Sequence, residues 1–132
     1  LAASAGAAQA QVQVQARNQD CPHASEMRQA HLLGLWRAEF EGAGHVGTLL
    51  LEKHPEYTES VRGTINRNGD RRLLAGDVLD GEFTLEESGD GKRIAATWVG
   101  EVVEASCGRE IRGTWSAEAA PEDRRAFVLR KQ

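Results

Sequence analysis

Several residue types are scarce in this 132-residue chain, and each scarcity excludes something. Methionine occurs once, at Met27, so there is no Met-rich adaptable binding surface. Tyrosine occurs once, at Tyr57, and proline three times. Basic side chains are outnumbered, 16 against 20 acidic ones, for a net charge of -4. A nucleic-acid binder normally carries a basic stripe, so none is expected here as partner. The basic pairs Arg71-Arg72 and Arg124-Arg125 stand among acidic neighbours and read as solvated surface. No apolar run is long enough to span a bilayer. What remains is the composition of an ordinary soluble domain, 40% hydrophobic and 27% charged.

Catalytic signatures are also lacking. The four histidines, His23, His31, His45 and His54, belong to no nucleophile or metal motif. Ser106 and Cys107 have no GxSxG or Cys-His context. Glu86 and Glu87 are adjacent, and a strand points adjacent side chains to opposite faces, so they are no acid/base pair. Both are expected to be surface carboxylates. No catalytic residue, resident metal or cofactor is expected, and the chain reads as a binding protein rather than an enzyme.

Only two cysteines are present, Cys21 and Cys107, and their spacing matches neither a zinc site nor a CxxC motif. In an oxidising compartment the simplest account is one disulfide, contributing about 3–5 kcal/mol in the chain-entropy model. A metal site using Cys21, His23 and Cys107 is the rival reading, and it lacks a fourth ligand. The residues Leu1 to Ala10 resemble the end of a secretory signal peptide, with Ala8-Gln9-Ala10 fitting the small-x-small cleavage rule. Residues 1–20 are therefore expected to be a signal-peptide remnant or a flexible N-terminal arm, residues 21–132 a single domain, and the location periplasmic or secreted.

Ser25 to about Leu33 is the one helix candidate, capped by Ser25 and stopped by Gly34. After Gly34 the hydrophobic period becomes two and stays there. Eight strand-like runs follow: Leu35–Phe40, His45–Lys53, Glu59–Asn66, Arg71–Leu79, Glu82–Glu87, Lys92–Ala105, Glu110–Ala117 and Arg125–Arg130. Asn68-Gly69 and Asp80-Gly81 are strong hairpin signals. Short, regular turns favour sequential antiparallel pairing, and eight such strands close into a barrel that has no exposed edge. The expected fold is all-β: an eight-stranded antiparallel meander barrel behind a short N-terminal helix and an arm. A two-sheet sandwich is the alternative. Gly63, Gly76, Gly100 and Gly113 fall at inward positions, which sharp coiling of a small barrel explains; room for a ligand is the other explanation. Outward Leu35, Leu49, Leu51, Leu73, Leu79 and Val99 offer a patch through which a homo-oligomer would form.

Gly34-Leu35-Trp36 on the first strand resembles the Gly-x-Trp signature of the calycin barrels, which include lipocalins and avidins. Ala96-Thr97-Trp98-Val99-Gly100 followed by Gly113-Thr114-Trp115 is similar to the sixth and seventh strands of avidin-type proteins. Val61-Arg62-Gly63-Thr64-Ile65 and Leu74-Ala75-Gly76-Asp77 resemble their third and fourth. The resemblance spans about residues 34 to 130 and implies a barrel closed at one end by Trp36. Its biotin chemistry does not carry over. Arg37 and Glu39 stand where avidins place Asn and Ser, Ile65 stands where they place a Tyr, and their last-strand Asp has no counterpart.

Two binding readings follow. In the first, the protein is an interaction or inhibitor-like module that meets another exported or envelope protein through its loops and N-terminal arm. Its candidate contacts are Tyr57, Gln13 and Gln15, Tyr being favoured at interfaces. Small periplasmic barrels that inhibit hydrolases are similar in size and in having one disulfide. In the alternative, it carries a small apolar ligand at the barrel mouth, against Trp36, Trp98 and Trp115. The first is preferred, because three Trp and three Phe can fill so small a barrel.

Overall fold

The computed structural model describes residues 21–44 and 46–132. The expected leader or arm at residues 1–20, with its contacts Gln13 and Gln15, lies outside the described residues. Eight strands follow one another in sequence order: β1 (Gly34–Phe40), β2 (Val46–Lys53), β3 (Val61–Arg67), β4 (Asp70–Leu79), β5 (Glu82–Ser88), β6 (Ile94–Val102), β7 (Glu110–Ala117) and β8 (Arg124–Lys131). Each pairs antiparallel with the next, and β8 returns to β1 to close the barrel. The closed meander holds, and the sandwich does not. The two hairpin signals act as expected. Asn68 and Gly69 have φ of 55° and 84°, and Asp80 and Gly81 have 53° and 82°. Two consecutive left-handed residues make the tight turn whose twist matches the flanking strands.

The expected short N-terminal helix is present as α1 at Gln29–Leu32, shorter than the Ser25–Leu33 run and preceded by a separate 3-10 turn at Ala24–Glu26. Met27 and Arg28 between them are extended. The reason is burial. Met27 and Leu32 are both buried, yet five residues along a continuous helix would point them about 140° apart. Breaking the helix lets both side chains drop into the barrel end.

Alternation sorts the strand residues into an apolar inside and a charged outside. On β1, Trp36, Ala38 and Phe40 face in. On β2 the inward residues are Leu49 and Leu51, and Leu50 is exposed. This corrects the expectation that Leu49 and Leu51 point outward. Three consecutive leucines leave the phase of the strand open, and pairing of Leu49 with Trp36 decides it. Leu35, Leu73, Leu79 and Val99 are exposed, as expected.

The inward glycines are explained by coiling. A Cβ built on Gly63 would collide with the Leu50 carbonyl oxygen, and one on Gly76 with the Thr84 carbonyl oxygen. The backbone of the adjacent strand therefore takes the space a side chain would need. Inside the barrel, the Trp98 ring sits between Phe40 and Phe127, at centroid distances of 5.3 and 5.0 Å. Among the described residues, no helix is long and apolar enough to cross a membrane.

Candidate functional site

The antiparallel register gives the barrel two chemically different ends. One gathers the starts of the odd strands, the ends of the even strands and the segment Cys21–Leu33. The other gathers Phe40, Arg67, Glu87, Trp115 and Arg125.

The first end is closed. Leu32 plugs it, and the Trp36 indole N–H donates to the Leu32 carbonyl at 2.8 Å. Lys131 donates to the His31 carbonyl at 2.6 Å and lies 5.8 Å from the centroid of the Trp36 ring. Burial, assisted by the nearby Arg109 charge, lowers the Lys131 pKa. The expected disulfide Cys21–Cys107 joins the start of this segment to the β6–β7 turn. That overturns the rival metal site, since both thiols are consumed. The third ligand it required, His23, instead holds Glu104 at 2.6 Å through Nδ1. The hydrogen bond to Glu104 raises the His23 pKa, with the Glu104 and Glu26 charges adding to it. The same bond lowers that of Glu104, which also accepts the Ala24 backbone N–H.

Tyr57 lies at this same end, in the loop joining β2 to β3, and is 62% exposed. His54 organises that loop. Its Nδ1 accepts the backbone N–H groups of Glu56 and Tyr57 at 3.1 and 3.2 Å, and its ring packs 4.7 Å from the Tyr57 ring. Gln29 donates to the Ser60 carbonyl at 2.7 Å, tying the N-terminal segment to the loop. The closed end is thus one surface built from three parts: the segment entered at Cys21, the Tyr57 loop and the β6–β7 turn.

The other end holds a polar network inside an apolar barrel. Glu87, 1% exposed, accepts two hydrogen bonds from Arg67, at 3.2 and 2.6 Å. It also accepts the indole N–H of Trp98 at 3.0 Å and of Trp115 at 3.3 Å. The Arg67 guanidinium lies 5.6 Å from the Phe40 and Trp115 ring centroids. Four donors on one carboxylate, with aromatic faces around the guanidinium, make a rigid and satisfied cluster. Above it, Phe40, Arg67, Trp115 and Arg125 line a cavity of about 220 Å³.

Of the three tryptophans expected at one mouth, Trp98 and Trp115 meet on Glu87, and Trp36 lies at the opposite end. Glu86 is exposed, but Glu87 is not the surface carboxylate expected of it. The signal was present in the alternation: Glu87 continues the inward row Phe83, Leu85. Arg67 likewise continues Ile65 on β3.

No protein-family model matches the chain, and no curated protein matches it.

Proposed function

We propose that the protein is an exported, non-catalytic binding protein, periplasmic or secreted, that engages another exported or envelope protein from the closed end of its barrel. The observation that carries this reading is convergence. Residues 1–20 join the described fold at Cys21, which the disulfide holds at the end where Tyr57 is exposed. The start of the described fold at Cys21 and the exposed Tyr57 therefore share one surface, pinned by Gln29–Ser60 and by His23–Glu104. Tyr57 offers a large amphipathic side chain, held in place by His54, at small entropic cost.

The packing supports this reading over a carrier. The strand backbones take the room at the inward glycines, and Phe40, Trp98 and Phe127 pack against one another inside the barrel. The cavity of about 220 Å³ at the open end is below the range of roughly 300–1,000 Å³ usual for drug-sized ligands. Two guanidiniums line it, and they suit an apolar ligand poorly.

The test is cross-linking in the native host, comparing the natural chain with a variant lacking residues 1–20 and with Tyr57→Ala. Loss of one discrete cross-linked partner in both variants, with thermal unfolding unchanged, supports the reading. Retention of that partner in both variants contradicts it.

A further inference from the structure

The barrel wall carries a second surface. Between the outer faces of β2 to β5 and the β5–β6 turn runs a groove of about 540 Å³. Its construction follows from the register. Leu50 pairs with Thr64 and Thr64 with Leu73, forming a row that crosses the strands at right angles. Ser88 continues the row, pairing with Leu73 and with Ile94. Leu50, Leu73 and Ile94 are each 40–41% exposed, so the row is an apolar floor open to solvent.

The two flanks of this floor differ in charge. Toward the closed end, the neighbouring row places Glu52 opposite Arg62 and Ala75 opposite Glu86. Toward the open end the groove is lined by Arg71, Lys92 and Arg93. The groove thus carries four cations against two carboxylates, in a chain whose net charge is -4.

These four cations also hold no carboxylate among the described residues. Arg37, Arg67, Arg72, Arg112, Arg125 and Arg130 each hold a carboxylate within 4 Å. Among the described residues, Arg62, Arg71, Lys92 and Arg93 hold none, and all four are exposed. An apolar floor beside unspent guanidinium donors is the chemistry of a surface that recognises another chain, arginine being enriched and its fork suited to carboxylates.

We propose that this groove binds an extended, acidic segment of a protein partner, one that alternates apolar and carboxylate side chains. The apolar side chains rest on Leu50, Leu73 and Ile94. The carboxylates pair with Arg71, Lys92 and Arg93 along the open-end flank. On the other flank Glu52 and Glu86 outnumber Arg62, which stands in the same row, so a segment acidic on both edges is disfavoured there and its orientation is set. The barrel has no free strand edge, so recognition runs through side chains rather than through added backbone pairing. The site is separate from the closed end and does not depend on it.

The experiment titrates the full-length protein into a fluorescein-labelled peptide of alternating leucine and glutamate, read by anisotropy. A leucine–lysine peptide of the same length is the comparison. Saturable binding of the glutamate peptide is expected, weakening as salt rises, with the lysine peptide at least about tenfold weaker. The double variant Arg71→Glu, Arg93→Glu is expected to weaken binding by about tenfold or more, and Leu73→Ser to weaken it too. Arg112→Glu, on the far wall, is expected to leave it unchanged. Deletion of residues 1–20 is also expected to leave it unchanged, which separates this outcome from that of the closed-end reading. Absence of saturable binding, equal binding of both peptides, or equal binding by the Arg71/Arg93 variant overturns the proposal. So does concentration-dependent self-association in sedimentation that Leu73→Ser abolishes, since the groove would then be an interface between copies of this chain.

Discussion

Trp98 and Trp115 donate their indole N–H groups to the same oxygen of Glu87, at 3.0 and 3.3 Å. The two residues face each other across β6 and β7. A carboxylate buried in an apolar barrel is tolerable only when its lone pairs are used, and here Arg67 and the two indoles use them.

Removing that acceptor is expected to be costly. Glu87→Ala leaves a guanidinium and two indole N–H groups without their partner, and a loss of about 3–5 kcal/mol is expected. Urea unfolding at neutral pH measures it. Replacing Arg67 and Glu87 together by methionine should recover the part of the loss that comes from the uncompensated guanidinium, while the two indole N–H groups stay without an acceptor. Equal destabilisation by the single and the double variant would mean that the two indole N–H groups left without an acceptor, not the uncompensated charge, set the cost.

The glycine rows predict a steric effect. Gly63→Ala pushes a methyl group into the Leu50 carbonyl of the adjacent strand, and about 1–3 kcal/mol or more should be lost. Gly44→Ala is the matched control, since nothing lies within 4 Å of its Cβ position. Thermal unfolding of the two variants should separate them clearly; similar midpoints would show that the strands spread apart without cost.

The Cys21–Cys107 bond closes a separation of 86 residues. In the chain-entropy model that is about 4–5 kcal/mol, which reduction should remove. Urea midpoints with and without reductant test this. The barrel should remain the folded state after reduction, since its strand pairing does not pass through either cysteine. An unchanged midpoint would place the bond's effect outside the folded-to-unfolded equilibrium.

The His23–Glu104 pair links closed-end docking to pH. The His23 pKa is raised above its ordinary 6.5, so its contribution is full below that value and is lost as pH rises through the folded-state pKa. The Glu104 pKa is lowered below its ordinary 4.5, so its contribution is full above that value and is lost as pH falls through the folded-state pKa. The pair is strongest between these limits. Following the His23 ring resonance through a pH titration should give a midpoint above 6.5, and Glu104→Gln should move it down. A midpoint at or below 6.5 in the natural chain would contradict the contact.

Period-two alternation, the turn pairs Asn68-Gly69 and Asp80-Gly81 and the lack of any long helical run between the strands make the barrel legible in the sequence. The disulfide was legible because two isolated cysteines in an export-like sequence leave one pairing. Four things were not. The helix break at Met27–Arg28 depends on where two buried side chains must land, which local propensity does not encode. The phase of Leu49–Leu51 depends on the facing strand. Burial of Glu87 is not legible because a charged residue next to Glu86 reads as surface, although its parity with Phe83 and Leu85 points inward. Its partner Arg67 is 20 residues away, and a hairpin-by-hairpin reading does not join them. The wall groove was invisible for a similar reason, since its apolar row crosses five strands.

The most direct test of the central claim, that this barrel binds with its surface and not its interior, is native mass spectrometry of the protein purified from its own host without reductant. The expected result is a chain free of small-molecule adducts that co-purifies with another exported polypeptide and releases it when Tyr57 is replaced by alanine. A stoichiometric apolar small molecule on the bare chain, lost on substitution of Trp98 or Trp115, would contradict it.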